Sequence, residues 1–350
     1  MPADVKARDK IDHALLAEIQ QRVPVDHRPF QLLGERLGMS EQECLTRLDR
    51  LKTGAIIRRL TGLFDPVALG YRMSLVAMRL PPQRLEEAAA VISRHPGVSR
   101  ADRMNDPFNF WFTIALPPAD SLERVVNILH ALAQSEETLL LPTSRVYKLG
   151  VRQHPDGEAA WLEHDEEGLD ALRRANPSVT LTGQDIRFIR LFQEDLPLLE
   201  LPFEVWAEQG DCTEDALFQW AKRAEHSGIM ERFAALLAPA SPGLAANAMI
   251  VWQVPPDAVD AVGEAMARFR DVTHCYQRPI YSSWPYALFT VIHAGSAAAC
   301  TEVAKRIEES IGQFPHKHLF SAQAYKRAPL TYFDPALTTW WEQVGLPADK

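Results

Sequence analysis

The chain has 350 residues, more than one ordinary hydrophobic core accommodates, and its 47% hydrophobic and 24% charged residues exclude a disordered or fibrous protein. A net charge of -9 disfavours non-specific attachment to a phosphate backbone or an anionic membrane, so an anionic ligand has to find a local basic cluster. No apolar leader follows Met1 and no run of about 18 uncharged apolar residues occurs, which predicts a cytoplasmic chain with no membrane span. The four cysteines (Cys44, Cys212, Cys275, Cys300) form no CxxC pair, so they read as packing residues rather than a zinc, redox or disulfide framework.

In chain order, helical patterns run over Asp12–Gln21, Phe30–Leu37 and Ser40–Leu51, with Ser40 as N-cap and Glu43 as its capping-box partner. Gly54 stops the third helix, and the alternation of Ile56–Phe64 predicts a wing strand. That is the outline of a winged helix-turn-helix over residues 8–66. Residues 67–153 then read β-α-β-β-α-β: Ser74–Leu80, a helix over Leu85–Arg94, Val98–Met104, Asn109–Leu116, a helix over Ser121–Gln134 and Leu139–Leu149. This is the ferredoxin-like split βαβ order. Residues 154–180 form an acidic linker with one short helix, its carboxylates a solvated face rather than a metal site.

The pattern then returns. Asp12–Pro24 matches Asp185–Pro197, Arg28–Phe30 matches Leu201–Phe203, and Thr53–Ile57 matches Ser227–Met230. His95–Arg103 lies opposite Phe269–Arg278, Asn109–Ala115 opposite Ala287–Ala294, and Ser144–Gly150 opposite Ala322–Ala328, always at an offset between 173 and 178. Six pairings in one order at a near-constant offset imply duplication and fusion. The fold class expected is therefore α+β: two tandem copies of a winged helix-turn-helix (8–66 and 181–244) followed by a ferredoxin-like domain (67–153 and 245–328). A C-terminal helix over 329–350 packs Trp340 and Trp341 back onto the protein.

A helix-turn-helix before a ferredoxin-like domain resembles the Lrp/AsnC transcription regulators. The two expected recognition helices, SEQECLTRLDRLK and TEDALFQWAKRAEH, lack the basic and amide excess that groove reading demands, so no nucleic-acid partner is expected. A more specific resemblance, spanning nearly the whole chain, is to the siroheme decarboxylases. It rests on RPF, LGMS and IIRR near the start, LGYRMSLVAM (Leu69–Met78) and NFWFT (Asn109–Thr113). In the second half it rests on ANAMIVWQVP, VTHCYQRPIYSSWPYALFTVIHA (Val272–Ala294) and AYKR. The resemblance implies loss of two acetate carboxyl groups of siroheme as carbon dioxide, in d-type haem or alternative haem biosynthesis. It implies no organic cofactor, since the iron belongs to the substrate, and it makes the chain an internal pseudo-heterodimer, with further oligomerisation open. The alternatives are an Lrp/AsnC-like regulator and a haem-binding sensor on the same fold.

Decarboxylation needs cations that orient carboxylates and an acid that returns a proton to carbon, for which histidine is best suited. A lone strand histidine is more often a satisfied core residue, and the resemblance is what singles out His274, with Tyr276 and Arg278 on the same face by alternation. The first half carries Arg100, Ala101, Asp102 and Met104 at the matching positions, so one active site is expected, in the second half. His293 is the second catalytic candidate: in a hairpin it can lie across from residue 273 or 274, and the turn length leaves the register open. Arg278, Lys326, Arg327, Arg59, Arg145 and Lys148 are candidate carboxylate ligands, and Trp284 and Tyr286 a candidate wall for the macrocycle. His316 and His318 read as solvent-facing.

Overall fold

The computed structural model describes residues 9–149, 152–153, 159–160, 180–237, 246–294 and 296–345. They divide into two compact units, each drawing on both halves of the sequence. The short helix expected in the acidic linker lies outside the described residues.

The first unit contains the helix-turn-helix segments. Helix α1 (Lys10–Gln21) begins with a capping box between Asp9 and Asp12, and α2 (Pro29–Leu37) opens on a proline. Helix α3 (Glu41–Thr53) starts where Ser40 accepts the Glu43 N–H at 3.2 Å. The return bond expected from Glu43 is replaced by an ion pair, because its carboxylate turns to Arg47 one helical turn on, at 2.9 Å. Helix α3 ends before Gly54 as expected, but Ala55 (φ 55°), not Gly54, takes the left-handed conformation. The second copy comprises α6 (Gly183–Phe192), α7 (Pro202–Gln209) and α8 (Glu214–His226). Its wing β9 (Met230–Leu237) pairs antiparallel with the first wing β1 (Ile57–Phe64), so each wing covers the other.

The second unit contains both ferredoxin-like segments. The first is β2 (Arg72–Arg79), α4 (Leu85–Ser93), β3 (Val98–Met104), β4 (Phe110–Leu116), α5 (Leu122–Ala133), β5 (Glu137–Pro142) and β6 (Arg145–Leu149). The second is β10 (Ala246–Trp252), α9 (Val259–Ala267), β11 (Val272–Gln277), β12 (Leu288–Ala294), α10 (Ala297–Ile311) and β13 (His316–Arg327). A two-residue ladder joins β7 (Arg152–Gln153) to β8 (Ala159–Ala160). The single strand expected over Leu139–Leu149 is broken. Pro142 has no N–H to continue the ladder, and the Ser144 N–H donates to the Gln277 carbonyl at 2.9 Å instead.

Among the described residues the strands run β5-β2-β4-β3-β13-β10-β12-β11-β6. Each half thus lends its last strand to the other. The long β13 pairs through His316–Phe320 with β10 and through Ser321–Arg327 with β3, while β6 pairs with β11. One buried cluster draws Ala77, Trp111, Leu139 and Leu141 from the first half and Val251, Trp284, Phe289 and Leu319 from the second. The opposite faces are covered by α4, α5 and α11 (Ala336–Gln343) in one half and by α9 and α10 in the other. Strands buried on both faces need near-continuous apolar sequence, as in FWFTIAL.

The YK pair of each half holds these exchanged strands. The Tyr147 hydroxyl donates to Asp260 at 2.6 Å and Lys148 to the Phe269 carbonyl at 2.7 Å. Their second-half counterparts reach the first half: Tyr325 donates to Glu86 at 2.7 Å, and Lys326 to the carbonyls of Ser93 and His95 at 2.7 and 3.0 Å. Both lysines thereby satisfy carbonyls at helix C-terminal ends, where positive charge is favoured. Glycine is required at 263, because an added Cβ would come within 2.6 Å of the Tyr147 ring.

Trp340 and Trp341 pack into the first half's core, as expected, with Arg124 4.8 Å over Trp341 and His95 4.4 Å from Trp340. His95 is fully buried; its Nδ1 accepts the Gly97 N–H at 3.0 Å and its Nε2 has no partner. Burial, with the nearby Lys326 charge adding to it, lowers the imidazole from 6.5 to about 3. The unfolded chain therefore binds this proton first, so the contribution is intact above pH 6.5 and is lost as pH falls toward 3. Denaturant titrations should show His95 costing about 2 kcal/mol at pH 5 relative to pH 8. In His95→Gln that part of the pH slope should disappear, and an unchanged slope would contradict the assignment.

Candidate active site

Strand β11 lies between β12 and β6, one neighbour from each half. Cys275 points into the core beneath α9, so His274 and Tyr276 take the opposite face, with Arg278 just past the strand end. The His274 and Tyr276 rings are 5.9 Å apart, and His274 Nδ1 lies 2.8 Å from the Thr273 hydroxyl. The Arg278 guanidinium sits 5.3 Å from the Tyr276 ring centre and 5.4 Å from that of Phe289, and donates to the Leu141 carbonyl of the first half. Its Nε is buried without a hydrogen-bond partner, and among the described residues no carboxylate pairs with it. Burial pushes the Tyr276 phenol up to about 12 and the Arg278 guanidinium down to about 10, so at neutral pH the phenol is uncharged and the guanidinium positive.

The other expected residues divide. Trp284 is fully buried, 5.3 Å from Trp111 and 5.6 Å from Phe108, and so belongs to the cluster between the sheets rather than to an open wall; its Nε1 has no partner. Tyr286 is half-buried against it, at 4.9 Å. The hairpin register sets Val291, not His293, opposite His274; the His293 backbone pairs with Asn247, and its side chain lies outside the described residues. Lys148 and Lys326 are taken up by the strand clamps described above. Arg145 pairs with Asp260 at 2.5 Å and Glu264 at 3.5 Å, and Arg59 donates to the Gln193 carbonyl within the first unit. His316 and His318 are half-buried rather than solvent-facing, His316 lying 4.6 Å from the Trp252 ring and 3.2 Å from Glu308. Lys317 was passed over between those histidines. Its ammonium stands 5.4 Å from Trp284 and 5.5 Å from Tyr286 and pairs with Asp106 at 2.7 Å; the period-two pattern that buries Leu319 already places it on that face.

The first half repeats this backbone with other chemistry. Arg100 and Asp102 hold the positions of His274 and Tyr276, and β13 puts Arg327 beside Arg100 where β6 puts Leu149 beside His274. Asp102 is buried and accepts from Arg100 (2.8 Å), Ser321 (2.6 Å) and Arg327, which together hold its carboxyl below the usual range against the opposing effect of burial. Arg327 is therefore committed to an internal carboxylate.

The cations of α3 are likewise engaged. Arg47 pairs with Asp9, Asp12 and Glu43, Arg50 with Asp12, and Lys52 with Asp195. A cleft of about 420 Å³ in the same unit is lined by Glu204, Glu208, Asp211 and Glu214, which repels a carboxylate-rich ligand.

Residues 68–148 and 241–326 match the AsnC-like ligand binding domain, and residues 12–58 match the siroheme decarboxylase NirDL-like HTH domain. The siroheme decarboxylase of Hydrogenobacter thermophilus is 30% identical over 331 residues, covering 94% of this chain and 97% of that one. The chain belongs to the siroheme decarboxylase family. Within that family, the crystal structure of siroheme decarboxylase NirDL superposes with a TM-score of 0.77 at 28% identity, covering 96% of this chain and 98% of that one. A second crystal structure of it, in complex with an iron-uroporphyrin III analogue, superposes with a TM-score of 0.75. The siroheme decarboxylase beta subunit of Methanosarcina barkeri is 37% identical over 143 residues, 41% of this chain and 94% of its own. A single family subunit thus corresponds to about half of this fused chain.

If Lys326 is a clamp and not a substrate ligand, Lys326→Met should lower unfolding free energy by about 1–3 kcal/mol. The substrate's KM should stay within about two-fold of the parent chain. Unchanged stability with weakened substrate binding would return Lys326 to the site.

Proposed function

We propose that this chain is a carboxy-lyase acting on siroheme and that its single site lies on the β11 face of the second half. Arg278 carries the reading. A guanidinium sunk against two aromatic rings, with one carbonyl acceptor and an unbonded Nε, is costly unless an anion completes it, and siroheme is rich in carboxylates. The relative that binds an iron-uroporphyrin III analogue supports a tetrapyrrole here. In the first half, Met104 stands in the place of Arg278, and Asp102, in the place of Tyr276, is already paired with Arg100 and Arg327, which favours one site per chain.

Arg278 orients one carboxylate while another, on an acetate arm, leaves. The bond from the methylene to the carboxyl carbon breaks, carbon dioxide departs, and the electron pair stays on the methylene, delocalised into the macrocycle. His274 in its protonated form returns a proton to that carbon, completing a methyl group. Repetition on a second acetate gives 12,18-didecarboxysiroheme. The reading requires no organic cofactor, and the iron arrives as part of the substrate. His293, Tyr276, Tyr286 and Lys317 are the further residues proposed to border the macrocycle.

Anaerobic incubation with siroheme, followed by mass spectrometry, should show successive loss of two carbon dioxide units. His274→Ala should bind siroheme yet turn over about 10² to 10⁴-fold more slowly, whereas Arg278→Ala should lose about 1.5–3 kcal/mol of affinity. Near-normal turnover by His274→Ala would remove it as the proton donor.

The regulator alternative is disfavoured because the α3 cations are neutralised within their own unit and the wings pair with each other. Footprinting at physiological salt should find no defined operator, and a protected operator would reverse this judgement.

A further inference from the structure

We infer that Thr273 is a positioning residue that sets the tautomer of His274, keeping hydrogen on Nδ1 so that the proton the ring gains and loses is the one on Nε2. Regular alternation would send residues 273 and 274 to opposite faces. The β11–β12 ladder instead steps from Val272↔Ile292 to His274↔Val291, so two residues of β11 are matched by one of β12 and Thr273 is the extra one. Such a bulge re-aims side chains, and here the fully buried Thr273 hydroxyl comes 2.8 Å from His274 Nδ1.

The hydroxyl has one hydrogen, and it donates that to the Val291 carbonyl at 3.1 Å. Toward the ring it offers only lone pairs, so Nδ1 must be the donor. Nδ1 therefore carries hydrogen in both the neutral and the charged imidazole, and the proton that comes and goes sits on Nε2. The first half keeps the same bulge, from Val98↔Ile114 to Arg100↔Thr113, with Ser99 in the place of Thr273 and no imidazole beside it. The backbone device is thus common to both halves, and the hydroxyl–imidazole contact belongs to the second.

The inference rests on the reading of His274 as proton donor, so its test includes a measurement made without turnover. Nitrogen-15 NMR of the full chain without substrate, with the His274 signals assigned by their loss in His274→Gln, should show the neutral ring in the Nδ1–H form. Thr273→Val keeps the shape and removes the acceptor, so it should shift the ring toward the Nε2–H form. It should also lower kcat about ten-fold or more with KM within about two-fold. Thr273→Ser should restore both, and matched melting temperatures establish that the variants are folded; if the valine variant melts early, Thr273→Ser against Thr273→Ala serves as the pair. An Nε2–H ring in the parent chain, or a valine variant with unchanged tautomer and kcat, would overturn the assignment. The Nδ1–H form together with a fully active His274→Ala chain would reject the donor reading alone and leave the Thr273 contact standing.

Discussion

The architecture of the second unit depends on the exchange of terminal strands between its halves. Without β13, β3 is an open edge, and without β6, so is β11; each half is a sheet whose last place is filled by the other. The exchange also brings the two inner faces into one cluster and places a carbonyl of the first half, from Leu141, against Arg278 of the second. The proposed site is therefore a product of pairing even though its chemistry stands on one strand.

Duplication produced two equivalent places, and they have diverged in opposite electrostatic directions. Around Asp102 the charges are mutually satisfied by donors from both halves, which makes the place a cross-half tie. Around Arg278 an aromatic environment surrounds a cation that donates to one carbonyl and, among the described residues, pairs with no carboxylate, which is the arrangement expected of a receptor for an anion. The bulge, the ladder registers and the YK clamps are the same in both halves, so the divergence lies in side chains on an unchanged backbone.

Much of the fold was legible because the sequence carries it twice: the βαββαβ order, the wings and the helix cap at Ser40 follow from local pattern. The face shared by His274, Tyr276 and Arg278 followed from alternation. The fates of Lys148, Lys326, Arg327 and Arg145 did not, since a cation's partner is chosen by tertiary contacts that no local pattern encodes. Thr273 was hidden for a related reason: a bulge of one residue leaves no mark in composition, yet reverses which face a side chain joins. The position of His293 was not legible because the turn length leaves the hairpin register open; the alignment the turn sets, Cys275↔Thr290, carries residue 293 past both 273 and 274.

The strand exchange has a consequence for how the protein comes into being. Were the two halves separate polypeptides, completing each sheet would be a bimolecular event whose extent depended on how much of both was present. Here the partner edge is tethered to the same polypeptide, so closure is intramolecular and its equilibrium does not depend on dilution. The cost is temporal. The edge of β3 is made early and is capped only by β13, synthesised more than 200 residues later, so the nascent first half carries an unpaired strand through most of translation.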